Sequence, residues 1–88
     1  MPSTITIDPD AVLDLAFDWT DWLGATETIS SYTADVTGVT EDSISEALGV
    51  VTVWVSAAVA GIAYVTCHIV TDQGREDDRT MTLRVVER

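Results

Sequence analysis

One histidine, one cysteine and a set of near-paired carboxylates are the side chains in this sequence best suited to catalysis or metal binding. His68 follows Cys67, but neighbours on a strand point to opposite faces, so the two cannot meet as a thiol–imidazole pair. No carboxylate or nucleophile stands at a recognisable motif spacing from His68, which reads as a surface residue. Cys67 alternates with Val65 and Ile69 and reads as a small buried hydrophobe. The acids cluster as Asp8/Asp10, Asp18/Asp21, Glu41/Asp42 and Glu76/Asp77/Asp78. None of these clusters has the twelve-residue calcium-loop spacing with its central glycine, although calcium held between loops stays an open alternative. A glycosidase needs carboxylates facing each other across a substrate cleft, which a domain this small rarely provides. A phosphate-binding glycine loop, a nucleophile elbow and a zinc spacing are all missing. The residues therefore point to a protein without catalysis, cofactor or metal.

The tryptophans suit binding better. Trp19 ends an alternating apolar run and reads as core. Trp22 follows in a turn and would cap one end of the domain. Trp54 projects from the polar face of a valine strand, where an exposed indole suits an interface.

At 88 residues there is room for one domain with one modest core. Apolar residues make up 47%, too many for a chain disordered by composition. The net charge of −11 makes nucleic acid and anionic membrane poor partners. Residues 1–74 hold eleven acids and no lysine or arginine, whereas residues 75–88 hold four of each sign. Most of the surface thus repels copies of itself and invites a basic partner. The single cysteine excludes an internal disulfide framework. Met1-Pro2-Ser3-Thr4 lacks the basic start of a signal peptide. Leu48 to Val70 lacks charged residues and is long enough to span a bilayer. Its alternating Thr52, Ser56, Thr66 and His68, its β-branched content and its small-residue break at 57–61 suit two strands and a turn instead.

Periodicity of two dominates the chain. Residues 1–10 form an arm in which Ile5 and Ile7 alternate with Thr4 and Thr6; Asp8-Pro9-Asp10 separates it from the domain at 11–88. Leu13, Leu15, Phe17 and Trp19 share one face of the first domain strand. Thr28 to Thr33 is a second strand. Asp35 to Glu46 predicts a short strand near Val36–Val39 followed by a loop. Val51, Val53 and Val55 mark the next strand, and Ala63, Val65, Cys67 and Ile69 the one after. Asp72-Gln73-Gly74-Arg75 is a turn, and Asp78 to Val86 closes the domain with Met81, Leu83 and Val85 inward. Six or seven short strands without helical periodicity predict an all-β fold, a small immunoglobulin-like antiparallel β-sandwich with an N-terminal arm. Trp54 and Arg84 both face outward; on a common sheet they would form the least acidic patch, open to self-contact. Ile5, Ile7, Trp22, Trp54 and Arg84 are the candidate interface residues.

Residues 13–23, Leu-Asp-Leu-Ala-Phe-Asp-Trp-Thr-Asp-Trp-Leu, resemble the "LD…DWSDWL" opening of small tailed-bacteriophage virion proteins. Thr28-Ile29-Ser30-Ser31 is similar to their second strand, and Thr52-Val53-Trp54-Val55-Ser56 to their "TVWLS" strand. Thr71 through Gly74-Arg75, with Asp78-Arg79-Thr80-Met81-Thr82-Leu83-Arg84-Val85, resembles their closing hairpin. The third-strand tryptophan of that family is missing, Tyr32 being the nearest aromatic. The resemblance runs from Asp8 to Arg88 and implies a structural fibre–tail adaptor or neck protein of the virion, assembled in the host cytoplasm. It would bind neck, tail or capsid subunits and copies of itself in a symmetric assembly. A capsid decoration protein is the alternative within that class. A carbohydrate-binding or adhesion module using Trp22 or Trp54 as a stacking platform is the alternative outside it.

Overall fold

Alternate β-branched and aromatic residues give strands with one dry face, and two such faces must close on each other to leave water. The computed structural model describes residues 3–57 and 59–86 and shows this arrangement. Seven strands are formed: β1 (Ser3–Ile7), β2 (Val12–Asp18), β3 (Ile29–Thr37), β4 (Val39–Ala47), β5 (Val50–Ala57), β6 (Gly61–Thr71) and β7 (Glu76–Val85). They build a four-stranded sheet, β1-β7-β6-β3, and a three-stranded sheet, β2-β5-β4. The all-β sandwich expected from the sequence is the observed fold.

The core is a single layer of side chains between the sheets. Leu15, Phe17 and Trp19 of β2 and its end, and Val51, Val53 and Val55 of β5, come from one side. Ala63, Val65, Cys67 and Ile69 of β6, with Leu83 and Val85 of β7, come from the other. These are the inward residues that the alternation predicts. The molecule measures 45 × 23 × 16 Å, a brick one core layer thick.

The stretch from Asp35 to Glu46 differs from its expectation. It holds no short strand followed by a loop. β3 runs on to Thr37, Gly38 crosses between the sheets, and β4 continues for nine residues. A bulge between Glu41 and Ser43 resets the alternation, so Val39 and Ile44 do not fit one period and the strand is disguised. As an edge strand, β4 also needs fewer apolar residues than β5.

The expected arm contributes β1, which lies parallel to β7 of its own chain, from Ser3 opposite Met81 to Ile7 opposite Val85. All the other pairs are antiparallel, as expected. The Asp8 carboxylate accepts from the Asp10 N–H at 2.9 Å, and the Asp8 carbonyl accepts from the Ala11 N–H at 3.0 Å. This turn carries the chain from the first sheet to the second.

Gly38 has φ 83°, and a Cβ there would lie 3.0 Å from the Ala63 Cβ and 3.2 Å from its Cα. Gly74 has φ 82° with open space around it. Both Gly→Ala changes meet the left-handed penalty of about 1–2 kcal/mol, and only Gly38→Ala adds a backbone overlap. Urea unfolding should therefore show a larger loss for Gly38→Ala than for Gly74→Ala.

Candidate interaction surfaces

Trp19 sits where β2 ends, fully buried, and its backbone N–H donates to the Gly49 carbonyl at 2.9 Å. The N–H groups of Trp22 and Leu23 both donate to the Trp19 carbonyl at 2.9 Å, and this tight turn brings Trp22 back over Trp19. The two rings meet edge to face, 5.5 Å apart at 73°. Each ring carries an arginine: Arg75 lies 4.1 Å from the Trp22 centroid and Arg79 4.1 Å from that of Trp19. Arg79 also donates to the Asp18 carbonyl and Arg75 to the Trp22 carbonyl. Trp22 thus caps this end of the sandwich. The indole Nε1 of Trp19 is buried without a hydrogen-bond partner among the described residues.

Glu27 fastens the cluster. Its side chain is 5% exposed and accepts from Arg75 Nε at 2.9 Å, from Arg75 Nη2, from Thr71 Oγ1 at 2.6 Å and from the Gly24 N–H at 2.9 Å. The guanidinium first, then the Thr71 hydroxyl and the Gly24 amide, hold its carboxyl down to about 2 from an ordinary 4.5. The sequence treats Glu27 as one acid among many. What could have singled it out is that every arginine follows residue 74, so the turn before β7 must find an acid or a ring nearby.

Beside this cluster lies an open cleft of about 410 Å³ whose walls include Leu23, Ile29, Leu48, Thr20, Glu27 and Glu46. No aromatic ring lines it. Leu48, at the β4–β5 hairpin tip, is 95% exposed with φ 52°.

His68 lies on the outer face of the four-stranded sheet. Its Nδ1 meets Asp78, directly opposite on β7, and its Nε2 lies 3.2 Å from Glu76. Asp78 first, with help from Glu76, raises the imidazole pKa above its ordinary 6.5. Carboxylates therefore do stand beside His68, because antiparallel pairing brings residues ten apart face to face. Among the described residues only these two carboxylates hydrogen-bond to the His68 ring.

The candidate interface residues are dispersed. Ile7 is part of the core, and Ile5 is aligned with Leu83. Trp54 is 42% exposed on β5, with Asp14 opposite it on β2 and Ser43 on β4. Arg84 lies on β7, opposite Ile62 and Thr6. Trp54 and Arg84 thus belong to different sheets and face away from each other. The shared patch expected for them does not form, because β5 and β7 stand on opposite sides of the core. Trp54 instead lies on the face that carries Asp14, Asp18 and Asp42, and β2, β4 and β5 hold no lysine or arginine.

Two measurements check this account. Cys67 is fully buried, and burial pushes its thiol above the ordinary range; native protein should react with a bulky thiol reagent far more slowly than unfolded protein. Glu27 has a depressed folded pKa, so its stabilising contribution is present above 4.5 and fades as the pH falls toward about 2. Glu27→Gln should lower the melting temperature near neutral pH, and the gap to wild type should close over that window.

No curated protein matches the chain's sequence. Among solved structures, the solution structure of amebosin superimposes with a TM-score of 0.48 at 12% identity, over 94% of this chain and 88% of that one. A family described as "Podophage GP4 fiber-tail adaptor protein gp77" matches residues 8–84. That match takes in the Trp19–Trp22 turn, the Trp54 strand and the β6–β7 hairpin, and the chain belongs to this family of phage fibre–tail adaptor proteins.

Proposed function

We propose that this protein is a non-catalytic component of the phage virion that joins neighbouring virion proteins at the neck or tail, in several symmetric copies assembled in the host cytoplasm. Membership of the adaptor family over residues 8–84 carries this reading. The strand order β1-β7-β6-β3 against β2-β5-β4 supports an immunoglobulin-like scaffold for it. His68 meets only carboxylates among the described residues, and Cys67 is buried, which favours binding over chemistry.

The exposed Trp54 is the best candidate anchor. Its ring is half in water on a flat sheet, and Asp14 beside it offers charge to a basic partner. A glycan platform would need a ring within a groove with convergent polar groups; neither Trp22 nor Trp54 lines the cleft, so the protein-binding reading is preferred. Copy number separates adaptor from capsid decoration: a handful per particle supports the former and hundreds the latter.

Trp54→Ala should weaken incorporation into particles by more than about 1 kcal/mol in affinity. The isolated domain should melt close to wild type, since 42% of the residue is already exposed. A large fall in melting temperature with unchanged incorporation would assign Trp54 to the fold instead.

A further inference from the structure

Four strands form the sheet edges: β1 and β3 in one sheet, β2 and β4 in the other. Open edges invite pairing and are blunted by bulges, prolines, lysines or shortness. β3 carries a bulge between Ile29 and Ser31, β4 carries one between Glu41 and Ser43, and β1 is five residues long. β2 has no such backbone device, and its only edge charges are Asp14 and Asp18. It pairs with β5 without a register shift over all seven residues, and it contains no proline or lysine.

The direction of its free groups follows from its ends. The Ala57 N–H donates to the Ala11 carbonyl and the Trp19 N–H to the Gly49 carbonyl, each at 2.9 Å. These bonds place residues 11, 13, 15, 17 and 19 in the pairs bonded to β5. The N–H and C=O groups of Val12, Asp14 and Ala16 therefore point off the sheet, with no partner among the described residues. Only the Asp18 carbonyl is capped, by Arg79 at 2.5 Å. The side chains of Val12, Asp14, Ala16 and Asp18 all lie on the exposed face.

We infer that the β2 edge is a docking site for an extended segment of a partner protein, added as an eighth strand, with basic residues at alternate positions. Ladder hydrogen bonds to Val12, Asp14 and Ala16 supply the affinity. Arginine or lysine on the exposed face meets Asp14 and Asp18, and apolar residues on the other face extend the row beside Leu13. A second copy is the wrong occupant: pairing β2 with β2 would crowd the Asp14 and Asp18 carboxylates of both chains, with only Arg79, held at the Asp18 carbonyl, close to them. The absence of lysine and arginine before residue 75 makes every strand but β7 equally unsuitable.

The proposal rests on the adaptor reading only for the source of the strand. The test is a seven-residue peptide alternating arginine and valine, titrated into the whole protein and followed by amide chemical shifts and affinity. Shifts should centre on Val12, Asp14 and Ala16. The peptide should also be made with one or the other alternate set of its amides N-methylated. One isomer should bind about tenfold or more weakly, the scale of losing one or two ladder bonds, and the other should bind as the parent. Ala16→Pro removes one outward N–H without touching the β5 ladder and should weaken binding similarly. Equal binding by both isomers, or shifts centred on β4 or the Trp54 face, would overturn the proposal; so would full affinity in a folded Ala16→Pro. If Ala16→Pro does not fold, the two isomers decide. Particle incorporation of Trp54→Ala tests the adaptor reading separately, so either can fail alone.

Discussion

Keeping the inward row of β5 dry is the constraint on which this domain depends. Val51, Val53 and Val55 are fully buried, and their strand is the centre of its sheet, bonded to β2 on one side and β4 on the other. Across the core they face the rows of β6 and β7. With one layer of side chains, each inward residue serves both sheets, and there is no deeper interior to compensate for a lost contact. Truncating a buried residue such as Leu83 to alanine costs about 2–5 kcal/mol, against a total stability of roughly 4–13 kcal/mol for a chain this long. A core so thin leaves chemistry to the outside. That agrees with a molecule whose polar groups are spread over flat faces and edges.

One end of the sandwich is closed by polar and aromatic contacts. At one pole, Glu27, Thr71, Arg75, Trp22 and Trp19 form a polar and aromatic lid, in which one nearly dry carboxylate is satisfied by a guanidinium, a hydroxyl and an amide. Two of the protein's arginines are thereby spent on its own rings. The rest of the surface stays strongly negative: beside Trp54 and along β2, Asp42 is met by the Ser56 hydroxyl and Asp18 by Thr20, with Arg79 at the Asp18 carbonyl. Local neutralisation at the lid leaves the net charge of −11 to the rest of the surface.

The inward rows of β2, β5, β6 and β7 were legible in the sequence because each keeps an unbroken period of two. β4 was not, because its bulge breaks that period and its edge position removes the need for apolar residues. The pairing of β1 with its own β7 was hidden as well: Ile5 and Ile7 show that a strand can form, but alternation does not say on whose edge. Trp22 was legible as an end cap, whereas the partnership of Glu27 with Arg75 joins residues 48 apart and leaves no local trace. The separation of Trp54 from Arg84 had the same origin. Alternation assigns each residue to an outer face, and only the strand order tells which of the two faces it is.

The parallel run of β1 beside β7 has a mechanical consequence. A force drawing residue 3 and residue 85 apart along the strands pulls β1 and β7 in opposite directions. The ladder between Ser3–Ile7 and Met81–Val85 is then loaded in shear, with all five residue pairs sharing the tension. An antiparallel terminal pair would instead peel open one bond after another. With β1 and β7 arranged this way, a domain only 16 Å thick can bear tension along these two strands.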